Sequence, residues 1–234
     1  MTLRGNGPTK STAVVRQSIG SPATPAQALA LLLLALAMIV VSGVAPAHRA
    51  DWLMENIVPL ALLLALVSGW RWLRLSPSAY VAIVLLFAIH ELGAHYTYAQ
   101  VPYDRWAKAV SGHSLDAALG WQRNQYDRLV HLSYGLLFYR PLRETLWRLT
   151  VLRGAWLVVL TLTVVLATSA LYELIEWVGG QYVGKDTAQA FVATQRDPWD
   201  AQKDMALALL GALTSSVLGG LWRAWRDRRP PMQC

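Results

Sequence analysis

Ala155-Trp156-Leu157-Val158-Val159-Leu160-Thr161-Leu162-Thr163-Val164-Val165-Leu166-Ala167-Thr168-Ser169-Ala170-Leu171-Tyr172-Glu173-Leu174-Ile175-Glu176-Trp177 decides the fold. Until Glu173 it carries no charge, and it is long enough to cross a bilayer, which takes about 20 apolar residues. Two carboxylates three residues apart then stand on its last turn. Charged groups beside hydrocarbon are costly, so they mark a functional site by default. Similar apolar runs occupy Gln27–Ala47, Trp52–Trp70, Val81–Ala94 and Trp199–Trp225, and a shorter one runs from Asp127 to Tyr139. The chain of 234 residues is 15% charged, below the roughly 25% of soluble domains, and its mean hydropathy is +0.33. The expected fold is an all-α integral membrane bundle of about six transmembrane helices.

The domain plan follows composition. Residues 1–26 are polar, rich in Gly, Pro, Ser and Thr, and read as a disordered cytoplasmic tail. Residues 27–226 form the membrane domain, and 227–234 a short cytoplasmic tail. Ala45-Pro46-Ala47 weakly resembles a signal-peptidase site, but the long polar segment before the apolar run favours a retained helix. Pro59 is expected to kink the second span, and Arg140-Pro141 to close the fourth. The connection 96–126 is polar, with a short amphipathic helix expected near Tyr103–Val110. A net charge of +7 would suggest nucleic acid in a soluble protein, but the basic residues flank apolar runs and no nucleic-acid motif is present. The single Cys234 excludes an intrachain disulfide and a Cys-based metal site.

Charge asymmetry orients the bundle. Arg71, Arg74, Arg140, Arg143, Arg148, Arg153, Arg223, Arg226, Arg228 and Arg229 fall in alternate connections, with only Glu144 and Asp227 as acids. Short basic loops stay in the cytoplasm, so both termini are expected there. Four acidic or histidine clusters then converge at the opposite, periplasmic end. They are His90-Glu91 with His95, Asp127 with His131, Glu173 with Glu176, and Asp200 with Asp204.

Each cluster has two readings. Asp127 and His131 are four apart and share a helix face, which suits metal ligation or a carboxylate orienting an imidazole. The same spacing fits a helix-start aspartate with a hydrogen-bonded histidine. Glu173 and Glu176 oppose the helix dipole and call for a cation, Arg123 or Arg128 as partner. Asp200 and Asp204 share a face if helical, or merely begin the helix. His90-Glu91-x-x-x-His95 misses the H-E-x-x-H spacing by one residue. His113 reads as a solvated loop histidine.

Carboxylates with imidazoles suit Zn, Mn, Fe or Mg, so a divalent metal is a candidate cofactor. The candidate metal ligands are Asp127, His131, Glu173, Glu176, Asp200 and Asp204, with Glu173 and His131 as candidate catalytic groups. His90, Glu91, Asp127, Glu176 and Asp200 are candidate ligand-binding residues. Two functional classes remain open. One is a site for a cation or polar envelope ligand, with an enzymatic form that hydrolyses a lipid-linked substrate. The other is a non-catalytic membrane factor whose ion pairs only fasten helix ends. A transport path would also place polar groups near the midplane.

The motifs carry a resemblance. Arg123-Asn124-Gln125-Tyr126-Asp127-Arg128-Leu129-Val130-His131, Arg143-Glu144, Tyr172-Glu173-Leu174-Ile175-Glu176-Trp177 and Thr194-Gln195-Arg196-Asp197-Pro198-Trp199-Asp200-Ala201-Gln202-Lys203-Asp204-Met205 resemble the YjdF-type bacterial inner-membrane proteins. His90-Glu91-Leu92-Gly93-Ala94-His95-Tyr96-Thr97-Tyr98 fits as well. The resemblance covers about residues 30–225; it implies a helical inner-membrane fold and supplies no activity. The Asp127/His131, Glu173/Glu176 and Asp200/Asp204 pairs are also similar to the VanZ-like membrane proteins, some of which are linked to glycopeptide resistance. The His90–His95 cluster departs from that second pattern.

Overall fold

The computed structural model describes residues 20–182 and 197–228. Most of the expected N-terminal tail, most of the connection 179–196 and the end of the C-terminal tail lie outside them. Helices form throughout the described residues: α1 (Pro25–Ser42), α2 (Arg49–Glu55), α3 (Ile57–Leu73), α4 (Pro77–Tyr96), α5 (Tyr103–Ser111), α6 (Leu115–Leu119), α7 (Tyr126–Leu149), α8 (Gly154–Tyr182) and α9 (Asp200–Asp227). Five segments are long and apolar enough to cross a membrane: α1, α2 with α3, α4, α8 and α9. The protein is a helical integral membrane bundle.

Local chemistry starts these helices. Thr24 caps α1 in a reciprocal capping box with Gln27, and Pro25 follows where its missing N–H costs nothing. At α4 the Ser76 hydroxyl accepts from the Ala79 N–H at 3.3 Å and Pro77 follows it, a one-way cap. In the second span the break falls at Asn56, ahead of the expected kink. Pro59 explains the offset. It has no N–H to give the Glu55 carbonyl four residues earlier, so the turn fails there, and Pro59 sits harmlessly in the first turn of α3. Asn56 Nδ2 closes α2 by donating to the Trp52 carbonyl at 2.9 Å.

The fourth span also differs from the sequence expectation. Pro141 does not close α7, which continues to Leu149. At 1.5 Å per residue its 24 residues reach about 36 Å, more than the roughly 30 Å hydrocarbon core. One lost hydrogen bond is tolerable where neighbouring helices enclose the turn. That enclosure also explains how α7 carries Asp127, Arg128, His131 and Glu144. It packs against α3, α4, α8 and α9, so its polar groups face protein.

The tightest seam joins α7 to α9. A Cβ on Gly135 would stand 1.8 Å from the Ala208 carbonyl oxygen, and one on Gly211 2.2 Å from that of Leu132. Small residues let backbones approach where lipid supplies no hydrophobic drive between helices. Ala208, Ala212, Tyr139 and Val165 complete this core, and Tyr139 donates to Ser216 across it at 3.0 Å. A second core joins α1, α3 and α4 around Ala35, Leu66, Ile83 and Phe87. Outward-facing Leu33, Val40, Leu64 and Leu166 stay exposed, as a lipid-facing surface requires.

A candidate carboxylate–imidazole site

The seam fixes the site. Because α7 and α9 touch along Gly135 and Gly211, their opposing first turns come together, bringing Asp204 to Asp127 and His131. One ligand atom from each of the three lies within 4.8 Å of the others. All are buried, with Asp204 only 1% exposed. From α8, Glu173 Oε1 approaches His131 Nε2 at 3.3 Å, and Asp127 Oδ1 stands 3.7 Å from the same nitrogen. Glu176, one turn on and also buried, lies in electrostatic range of Asp127, Glu173, Glu55 and Asp204.

Two carboxylate oxygens here, Glu173 Oε1 and Asp204 Oδ1, are buried without a hydrogen-bond partner. A buried polar atom left unpaired costs about 1–3 kcal/mol, more when charged. Asp51 Oδ1 and Glu91 Oε1 are unpaired in the same way, so what sets Glu173 and Asp204 apart is their place beside Asp127 and His131.

Asp200 at the start of α9 and Asp197 just before it take arginines instead. Asp200 pairs with Arg123, with Arg128 3.6 Å away. Asp197 pairs with Arg128 and with Lys203, each at 2.6 Å. The arginines expected as partners for Glu173 and Glu176 thus form these pairs, one turn outside the buried trio. Lys203 and the Trp199 N–H donate to Asp197, and together with Arg128 they hold its carboxyl at about 2.

His90 and Glu91 take different places. Ser42 Oγ donates to Glu91, Trp52 Nε1 donates to Ser42 at 2.8 Å, and His95 Nδ1 meets the Ser42 carbonyl at 2.8 Å. This group fastens the end of α1 to α4. His90 turns inward, where its Nδ1 meets the Tyr98 hydroxyl. Burial pushes the Tyr98 phenol well above its ordinary value, so it stays protonated. His113 is exposed, as expected.

Sequence reasoning missed Asp51, Glu55 and Tyr172 as members of this polar end. Tyr172 donates to Glu55 Oε2 at 2.6 Å, and its ring meets His131 edge-on at 6.0 Å. Asp51 and Glu55 are 1% and 5% exposed. Their four-residue spacing repeats that of Asp127 and His131, and that was the available signal. The connection 96–126 closes this end. Its amphipathic α5 appears where expected, and Ser114 and the Asp116 N–H donate to Asp104 to hold α6 against it.

The family described as "Predicted membrane protein (DUF2238)" matches residues 27–225. The chain is 38% identical over 181 residues to the "Inner membrane protein YjdF" of Escherichia coli (strain K12). That alignment covers 77% of this chain and 82% of the relative. No solved structure matches. The likeness to VanZ-like proteins stays a matter of motif spacing.

Proposed function

The chain belongs to the DUF2238 family of membrane proteins, and from that premise we propose a divalent-cation site at the periplasmic end of a six-span inner-membrane bundle. Asp127, His131 and Asp204 are its ligands, with Glu173 completing the set and Glu176 behind it. Both termini lie in the cytoplasm. The arginines at the other end support this orientation through the positive-inside rule, and α7 supplies the sixth span.

One observation carries the reading: buried Asp127, His131 and Asp204 bring one ligand atom each within 4.8 Å of one another, and Asp204 Oδ1 has no hydrogen-bond partner. Several buried carboxyl groups against one imidazole need positive charge from outside the chain, as a cation or as protons. An oxygen and nitrogen donor set with two or more carboxylates suits Mn, Fe, Mg or Zn. An ion about 2.1 Å from each donor spans up to about 4.2 Å, so small side-chain rotations close the 4.8 Å set. The site would hold a polar group presented at the envelope end of the bundle.

The contact between His131 and Glu173 at 3.3 Å favours an enzymatic form of this reading. In it the two move a proton during hydrolysis of a lipid-linked substrate, since a general base must lie within hydrogen-bond reach of its partner.

Elemental analysis of the detergent-purified protein tests the cation, wild type beside Asp127→Asn/His131→Ala. A stoichiometric metal lost in the variant is expected. Metal-free wild type that also takes up none of Mn, Fe, Mg or Zn on titration would leave the clusters as helix fasteners.

A further inference from the structure

A cavity of about 230 Å³ runs along α7 between α3, α4 and α8, beside the polar site. Asp127, His131 and Tyr98 line its upper end, and Phe138 its lower end. From Asp127 to Phe138 is eleven residues of helix, or about 16 Å. Between these ends the walls are mostly apolar, with Leu62 from α3 and Phe87 from α4, and the Tyr134 hydroxyl hydrogen-bonded to Thr168 and a buried Ser169 are the polar groups among them. Dry apolar cavities of roughly this size take up hydrocarbon in preference to water.

The cavity is open at the side. Its lips are Val58 on α3 and Thr168 on α8, both exposed. Both lips belong to membrane-spanning helices, so what lies outside the mouth is the interior of the bilayer. The slot therefore connects hydrocarbon, at the depth of acyl chains, to a charged pocket at the interface. An amphiphile is the molecule whose two halves match those two ends. A neutral hydrocarbon would leave the upper end unmatched, and a free polar ligand would leave the apolar length unfilled.

We propose that this slot seats one acyl chain of a bilayer phospholipid, entering between α3 and α8, with the phosphate held at the Asp127–His131–Asp204 end. The phosphate placement rests on the cation reading, because carboxylates receive a phosphate only through a bridging cation. The seat for the chain does not depend on it.

Photolabelling tests the seat. The full chain is placed in vesicles of phosphatidylethanolamine and phosphatidylglycerol that contain a phosphatidylglycerol with a diazirine on one acyl chain, and labelled residues are mapped. The label is expected on the α3, α7 and α8 residues of the slot. Thr168→Trp should lower it by roughly tenfold, and Val58→Trp at the other lip should do the same. Leu166→Trp, on an exposed part of α8 outside the slot, should leave it unchanged. Two lip variants guard against one of them misfolding.

Label spread evenly over the outward faces of all spans, or slot label indifferent to both lip variants, overturns the proposal. Slot label displaced by a polyprenyl phosphate but not by unlabelled phospholipid overturns the choice of lipid. The metal content of the same samples separates the two readings. Metal-free protein with a labelled slot removes the cation and keeps the chain seat. Metal-loaded protein with uniform label does the reverse.

Discussion

Glu144 and Asp204 are both buried carboxylates touching α7, at opposite ends of the bundle, and their surroundings differ completely. Glu144 is 3% exposed and accepts from the Ser76 N–H at 2.8 Å, the Ser76 hydroxyl at 2.6 Å and Arg140 Nε at 3.3 Å. It ties α7 to the start of α4 and leaves no demand unmet. Asp204 is 1% exposed and keeps Oδ1 unpaired beside Asp127 and His131. Burial alone does not distinguish a structural acid from a functional one; the donors around it do. A fully satisfied carboxylate such as Glu144 has no further partner to gain, whereas one with an unpaired oxygen beside an imidazole and a second carboxylate can still take a ligand.

Substitutions at the two ends sharpen this contrast, and the largest effect should come from the seam that assembles the site. Gly135→Leu drives a side chain into the Ala208 carbonyl of α9. It should cost more than about 3 kcal/mol or abolish the folded protein, read as loss of the monodisperse peak in detergent. Full stability in that variant would mean that the α7–α9 contact is not the anchor of the Asp204 turn.

Glu144→Ala comes next. It strands the Ser76 donors, and thermal unfolding in detergent should show a loss of about 2–3 kcal/mol, partly restored by Glu144→Gln. Equal losses from Glu144→Ala and Asp204→Ala would break the contrast between the two ends.

A smaller effect should follow pH. The folded value of Asp197, about 2, lies below the ordinary 3.8 of an aspartate. Its contribution is therefore complete above 3.8 and disappears as pH falls towards 2. The midpoint of thermal unfolding should fall modestly between about pH 4 and pH 2, the window between the unfolded and folded values, and less so in Asp197→Asn. An identical acid profile in that variant would remove Asp197 from the account.

The smallest stability effect is expected for Asp204→Asn. Replacing an unpaired buried charge by its neutral isostere is often neutral or stabilising, so stability should stay within about 1 kcal/mol. Metal content should nevertheless drop to background in the elemental analysis. A large loss of stability with unchanged metal content would make Asp204 another Glu144.

Much of the fold is legible along the chain because it depends on local runs. The apolar stretch to Trp177, the capped starts at Thr24 and Ser76, and the amphipathic turn after Tyr103 need only spacing and residue type. The convergence of His90, Asp127, Glu173 and Asp204 at one end is also legible, since alternating helix direction requires it. Both proline expectations needed correcting, one in position and one in outcome. Pro59 breaks the second span as expected, but ahead of its own ring, because a proline acts on the carbonyl four residues before it. Pro141 was read as a stop, but enclosure by neighbouring helices, invisible in a single segment, lets α7 continue.

By itself, then, the sequence determined that this chain enters the membrane, which segments are long and apolar enough to cross it and which end of the bundle gathers the acids, because hydropathy and helix direction are properties of one segment at a time. The tertiary structure decided how the acids are shared out. Arg123 takes Asp200, Ser42 takes Glu91, Ser76 takes Glu144, and Asp204 reaches His131 unpaired. Helical spacing places Asp200 and Asp204 near one face alike. Only the depth of the α7–α9 contact at Gly135 and Gly211 sets which of them meets an arginine and which meets the imidazole.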